Sequence, residues 1–168
     1  MKALIETADK KSERAFLVGV ELKSHSAWDV ADSLDELAEL ATTAEMAAAA
    51  CGCEVAQIVK SLVFGGAETG RAHLLLVSGA NRVHEKRAGK AIGEKLVRVD
   101  AAAARAATGY AIGGVSPMGH GPDLPIWIDE DLLTLPTLWA AGGAPRAVFP
   151  VTPADLLRAT GGTVIKVT

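Results

Sequence analysis

Aromatic residues are scarce in this 168-residue chain, at 4%. A core must therefore come from Ala, Val, Leu and Ile, and with 49% hydrophobic residues there is enough of them to exclude wholesale disorder. Cysteine is nearly absent. Cys51 and Cys53 stand one residue apart, so a bridge between them would close a strained ring, and no disulfide framework is expected. Long apolar runs are missing, and none approaches the roughly 18 residues of a membrane span. Residues 1–14 are charged and lack an apolar signal region, so a cytoplasmic protein is expected. Basic excess is missing too. The net charge is −3, which argues against a protein that coats duplex nucleic acid but leaves room for a local contact with an RNA end.

Two familiar motifs fail. The glycines at 65–70 precede no Lys-Ser/Thr, so a nucleotide-triphosphate loop is excluded. Ser116 is followed by Pro117 and its glycines are wrongly spaced for a hydrolase nucleophile elbow. A Cys-x-Cys with four scattered His is a weak metal signal. Neither a metal nor a cofactor is expected.

What is present alternates short strands with short helices. Residues 14–22 read as a strand. Leu34, Leu37, Leu40 and Ala41 recur at helical spacing after it. Residues 44–51 favour a helix that Gly52 can end, and a second short helix is expected over 54–59. The apolar runs 61–64 and 73–78 should form a hairpin. A basic helix over 83–92, a strand over 95–99 and an Ala-rich helix capped by Asp100 follow. Residues 110–125 are too rich in Gly and Pro to be regular. Strands are expected at 126–129, 147–149 and 163–167, with a helix capped by Thr152. The passage 139–145 reads as a glycine-rich connection. The class is mixed α+β.

Charge is unevenly spread. Residues 1–46 hold 5 basic and 10 acidic groups, while residues 81–105 hold 7 basic and 3 acidic. The basic stretch includes Arg82, Lys86 and Lys90. It reads either as a solvated helix face or as a patch that steers a nucleic-acid backbone. Lys60, next to the apolar run 61–64, is either a solvated strand-edge residue or a fixed cation that holds a phosphate. Gly113 and Gly114 are either a tight turn or a place where a ligand reaches backbone N–H groups.

From about residue 43 to the end, the chain resembles the YbaK/prolyl-tRNA-synthetase-associated editing domain family. The resemblance is carried by Thr43-Ala44-Glu45, Gln57-Ile58-Val59-Lys60-Ser61-Leu62-Val63-Phe64 and Ser78-Gly79-Ala80-Asn81-Arg82. It continues through Gly113-Gly114-Val115-Ser116-Pro117 and Ile128-Asp129-Glu130-Asp131. It implies a curled, mainly antiparallel mixed sheet with surrounding helices. It also implies a deacylase acting on mischarged tRNA, with tRNA(Pro) bearing a small amino acid as the expected substrate. On that reading Lys60, Gly113 and Gly114 carry the chemistry, and Ser61, Ser116 and Asp129 bind substrate. Arg82, Lys86 and Lys90 contact tRNA, whose 3′ acceptor end enters the site. An RNA-end binding module, or a folded chimera without turnover, is the alternative.

Residues 13–44 instead resemble the N-terminal segment of HflX-type translational GTPases, through the 13–22 strand, Trp28 and Ser33-Leu34-Asp35-Glu36-Leu37. This reads as a fusion, natural or engineered. The expectation is one domain over 1–168, with an HflX-like strand–helix segment at 1–42 integrated with the editing core at 43–168.

Overall fold

A computed structural model describes Val18, Gly19 and residues 43–121, 123–144 and 147–168. Its centre is a hairpin. Strand β2 (Val59–Gly66) pairs antiparallel with β3 (Ala72–Ser78), from Val59 opposite Ser78 to Gly65 opposite Ala72. This is the hairpin expected from the two apolar runs. Leu74, Leu75, Leu76 and Val77 have no exposed surface. A strand covered on both faces needs apolar side chains at every position, which is why β3 does not alternate.

Strand β4 (Leu96–Arg98) joins the free edge of β2 antiparallel. Beyond β3, β5 (Ile126–Asp129) and β8 (Thr163–Ile165) are added in parallel. The five-stranded order is β4-β2-β3-β5-β8. A smaller antiparallel sheet has the order β1-β7-β6, from β1 (Val18–Gly19), β7 (Ala147–Val151) and β6 (Leu138–Ala141). The mixed α+β class expected from the sequence holds. Within the strand expected at 14–22, Val18 lies opposite Val148 of β7. The rest of that stretch, and the helical pattern of Leu34, Leu37, Leu40 and Ala41, lie outside the described residues.

The helices are α1 (43–51), α2 (Glu85–Ile92), α3 (Ala101–Thr108) and α4 (Pro153–Thr160). Their starts follow local chemistry. Asp100 accepts from the Ala103 amide at 2.7 Å, and Thr152 accepts from the Asp155 amide at 3.1 Å.

Two expectations need correction. The helix expected over 54–59 is only a 3-10 turn, Val55–Gln57, and the chain is already in β2 at Val59. Gln57 donates to the Thr137 carbonyl at 2.9 Å, and Ile58 bridges to Trp139, so a distant segment draws the chain out. The glycine-rich passage expected at 139–145 begins inside β6 (Leu138–Ala141). Its Leu-Trp-Ala-Ala sequence has little strand preference, and pairing with β7 makes it one.

Two cores flank the main sheet. One holds Val59, Leu74, Leu76, Ile128, Leu138 and Leu156. The other holds Phe64, Leu75, Val77, Ala88, Leu96 and Ile165. Strand alternation assigns sides from these two sets. Val59, Ser61 and Val63 face the first core. Lys60, Leu62 and Phe64 face the second, as do Val77, Trp127 and Asp129.

Candidate functional site

Lys60 is half-buried near the start of β2. Its ammonium donates to the carbonyl oxygens of Gly79 at 3.1 Å and Asn81 at 2.5 Å. Both belong to the loop that leaves β3. Gly79 can serve because it has no side chain: a Cβ there would collide with the Val55 carbonyl oxygen. An ammonium has three N–H groups. Two are engaged, and among the described residues the third has no partner.

Asp129 ends β5 with 1% exposure. One carboxylate oxygen accepts from the Ser78 amide at 3.1 Å and the Asn81 side-chain amide at 2.8 Å. The other accepts from the Asp131 amide at 3.3 Å. The Asn81 amide also reaches Asp131 Oδ2 at 2.7 Å. Burial pulls Lys60 below the ordinary lysine range. The Asp129 charge opposes that pull, and the Arg82 charge adds to it. A cation is thus held in a partly desolvated place beside a buried carboxylate, with one donor left over.

The glycine loop has its own supports. Gly113 is exposed at φ +82°, with open space where a Cβ would stand. Its amide has no partner among the described residues, whereas the Gly114 amide donates to the Ala111 carbonyl at 3.0 Å. Of the two, Gly113 alone offers an N–H without a partner among the described residues. Ser116 is buried, and its hydroxyl accepts from the Met118 amide at 3.2 Å. His120 Nε2 lies 2.6 Å from the Ser116 carbonyl, and Tyr110 donates to the Met118 carbonyl at 3.1 Å. The Tyr110 and His120 rings meet edge-on at 5.5 Å.

Among the residues singled out from the sequence, Lys60 and Asp129 share one face of the sheet, with Arg82 close enough to act on Lys60. Ser61 lies on the opposite face of β2, the side on which Val115 of the glycine loop packs. Its buried hydroxyl has no hydrogen-bond partner among the described residues. No hydrogen bond among the described residues joins Lys60 to residues 113–116. Lys86 and Lys90 line a separate cavity of about 530 Å³ with Lys95 and Leu96. Two glutamates also line it, but Glu85 pairs with Arg98 and Glu94 with His73, so among the described residues the lysines have no acidic partner.

Sequence reasoning passed over Asn81, Asp131 and the Gly79 carbonyl as working parts. The signals were the break from the apolar 74–77 run into Ser78-Gly79-Ala80-Asn81, and the Asp-x-Asp spacing at 129–131. Cys51 and Cys53 are free thiols, and burial, with Cys53 beside it, pushes Cys51 up to about 11. Such a thiol is not poised as a nucleophile. Among the described residues no cluster of His, Cys, Asp and Glu is placed to hold a metal, and no helix is long and apolar enough to cross a membrane.

Comparisons with known proteins identify the family. A solved structure described as that of a trans-editing enzyme for prolyl-tRNA synthetase is 50% identical, with a TM-score of 0.69; the match covers 74% of this chain and 78% of that one. YwhH of Bacillus subtilis, a protein without an assigned function, is 28% identical over 77% of this chain and 82% of its own. EbsC of Enterococcus faecalis carries a provisional name as a Cys-tRNA(Pro)/Cys-tRNA(Cys) deacylase. It is 28% identical over 75% of this chain and 77% of its own. The family model for the aminoacyl-tRNA editing domain matches residues 38–159, which include Lys60, the glycine loop and Asp129, and the chain belongs to that family.

Proposed function

We propose that the protein is an aminoacyl-tRNA deacylase that hydrolyses mischarged tRNA in trans, with tRNA(Pro) carrying a small amino acid as its substrate. The observation that carries this reading is the Lys60 ammonium, held by two carbonyls beside buried Asp129, with one N–H that has no partner among the described residues. That N–H meets a phosphate oxygen of the tRNA 3′ end as a charge-assisted contact. Water adds to the ester carbonyl, and the tetrahedral oxyanion accepts the free Gly113 N–H. The C–O bond to the terminal ribose then breaks. The ribose oxygen takes a proton, and the amino acid leaves as a carboxylic acid. Ser61 and Ser116 line the amino-acid side, and Asp129 anchors the loop beside Lys60.

Arg82, Lys86 and Lys90 meet the tRNA backbone away from the reacting ester. The unpaired lysines of the 530 Å³ cavity support this assignment, because such charges release counterions when they meet phosphates.

The test is deacylation of tRNA(Pro) charged with Ala or Cys, by the wild type and by Lys60→Ala. Turnover by the wild type, and its loss in the variant at unchanged thermal stability, support the reading. Tight binding of the tRNA without turnover would point to an RNA-end binding module instead.

A further inference from the structure

The two carbonyls that hold Lys60 lie on a loop, and a loop needs something to hold it. The Gly79 amide donates to the Ile58 carbonyl at 2.7 Å, which fixes the near end, and the Asn81 side-chain amide fixes the far end. Its Nδ2 donates to Asp129 at 2.8 Å and to Asp131 at 2.7 Å, while the Asn81 backbone carbonyl accepts from Lys60 at 2.5 Å. One residue therefore touches the cation through its main chain and two carboxylates through its side chain. A Leu of similar size would keep the volume but lose both amide bonds, and the loop would then have no polar tie from Asn81 to β5.

We propose that Asn81 is a positioning residue. Its amide clamps the 79–81 loop onto the carboxylates of Asp129 and Asp131, so that the Gly79 and Asn81 carbonyls aim the third N–H of Lys60 outward. The charged groups that bear on Lys60 are Asp129 at the end of β5 and Arg82 beside the loop; Asp131, in the 3-10 turn that follows, meets the Asn81 amide. Asn81 adds no charge to this set. Its effect comes through geometry: it holds the ammonium in the partly buried spot and keeps two of its donors occupied.

The kinetic part of the test rests on the deacylase reading, and the spectroscopic part does not. The full chain, labelled with ¹³C and ¹⁵N in lysine, reports the Lys60 side-chain titration by NMR. In Asn81→Leu the loop is released and Lys60 becomes more hydrated, so its titration moves up toward that of a free lysine. For the same variant, kcat on mischarged tRNA(Pro) should fall about tenfold to a hundredfold, with KM within about threefold, as expected for a charge-assisted contact aimed wrongly in the transition state. The Asn81→Leu, Lys60→Ala double variant should resemble Lys60→Ala alone, because the two residues act as one unit.

An unchanged Lys60 titration in folded Asn81→Leu, or losses that multiply in the double variant, would overturn the proposal. Should Asn81→Leu fail to fold, Asn81→Ala takes its place, since it removes the same two side-chain hydrogen bonds with less bulk. The same upward move of the Lys60 titration is then expected, and no move would overturn the proposal. If the wild type does not deacylate, the functional reading fails, while the lysine titration still decides the role of Asn81.

Discussion

The main sheet carries two partly buried polar networks on one face, at opposite ends of the same strands. At the start of β3, Trp127 donates to His73 Nδ1 at 3.2 Å, which leaves the ring proton on Nε2 to be donated to Glu94 at 2.9 Å. Glu94 also accepts from the Glu68 and Thr69 amides and from the Thr69 hydroxyl. At the far end, Lys60, Asn81 and Asp129 make the second network. The first closes on itself: each ring nitrogen of His73 and both oxygens of Glu94 are engaged inside the protein. Among the described residues, the second leaves one N–H of Lys60 without a partner. A closed network pins strands together, and an open one can receive a ligand. By this criterion the sheet has a brace at one end and a candidate site at the other.

The largest expected effect separates the two ends most sharply. Lys60→Ala should cut deacylation about tenfold to a hundredfold, corresponding to the loss of a charge-assisted contact, with the melting temperature close to wild type. Gly66→Ala should do the reverse. A Cβ at Gly66 would occupy the space of the Glu94 carboxylate. The melting temperature should fall by several degrees while activity per folded molecule is kept, as thermal unfolding beside single-turnover kinetics would reveal.

Gly79→Ala should blur the comparison, because a side chain there strikes the Val55 carbonyl and shifts a carbonyl that holds Lys60. A loss of about 1–3 kcal/mol in stability is expected from such overpacking, together with a fall in kcat. Denaturant unfolding and kinetics on the same preparation would check it. If only stability falls, the Gly79 carbonyl is dispensable to the site.

Acid and alkali probe the ends separately. Burial pushes Glu94 up, but the bonds from His73, Thr69 and Glu68 outweigh it and hold the carboxyl below the ordinary range. Its stabilisation is therefore complete above the unfolded value of about 4.3 and fades as pH falls through the lower folded value. Lys60 is shifted down, so its proton leaves at lower pH than that of a free lysine, near 10.4. Activity should decline on the alkaline side before a free lysine would titrate, while the fold persists. The expected signature is an acid limb in the stability profile and an early alkaline limb in the kcat profile. The smallest effect on chemistry belongs to Lys86→Glu with Lys90→Glu. Full-length tRNA should bind more weakly with a shallower salt dependence, while hydrolysis of a minimal aminoacyl-nucleotide should not change.

Much of the fold was legible in local sequence. Consecutive Leu74, Leu75 and Leu76 announce a strand covered on both faces, and Asp100 and Thr152 mark helix starts through side chains that bond the next turn. Strand β6 was not legible, because Leu138-Trp139-Ala140-Ala141 has no alternation and becomes a strand only opposite β7. The 3-10 turn at Val55–Gln57 was misread for the same reason: its partner at Thr137 lies 80 residues away. In the site, Lys60, the glycine pair and Asp129 stood out through residue type and family motif. Asn81 lay within the family motif, but its part in the site did not show, because an amide after a strand is ordinary until its two carboxylate partners are in view.

The sequence by itself determined the elements whose causes are local: apolar runs, caps, glycine stops, and the motifs that place the chain in the aminoacyl-tRNA editing domain family. Tertiary structure decided which of those residues meet. Strand alternation puts Lys60 and Ser61 on opposite faces of β2 although they are neighbours in the chain. Parallel pairing of β5 with β3 brings Asp129 beside Ser78, 51 residues away. Whether a polar network closes or leaves a donor free depends on those meetings, because hydrogen bonds are satisfied in space and not along the chain.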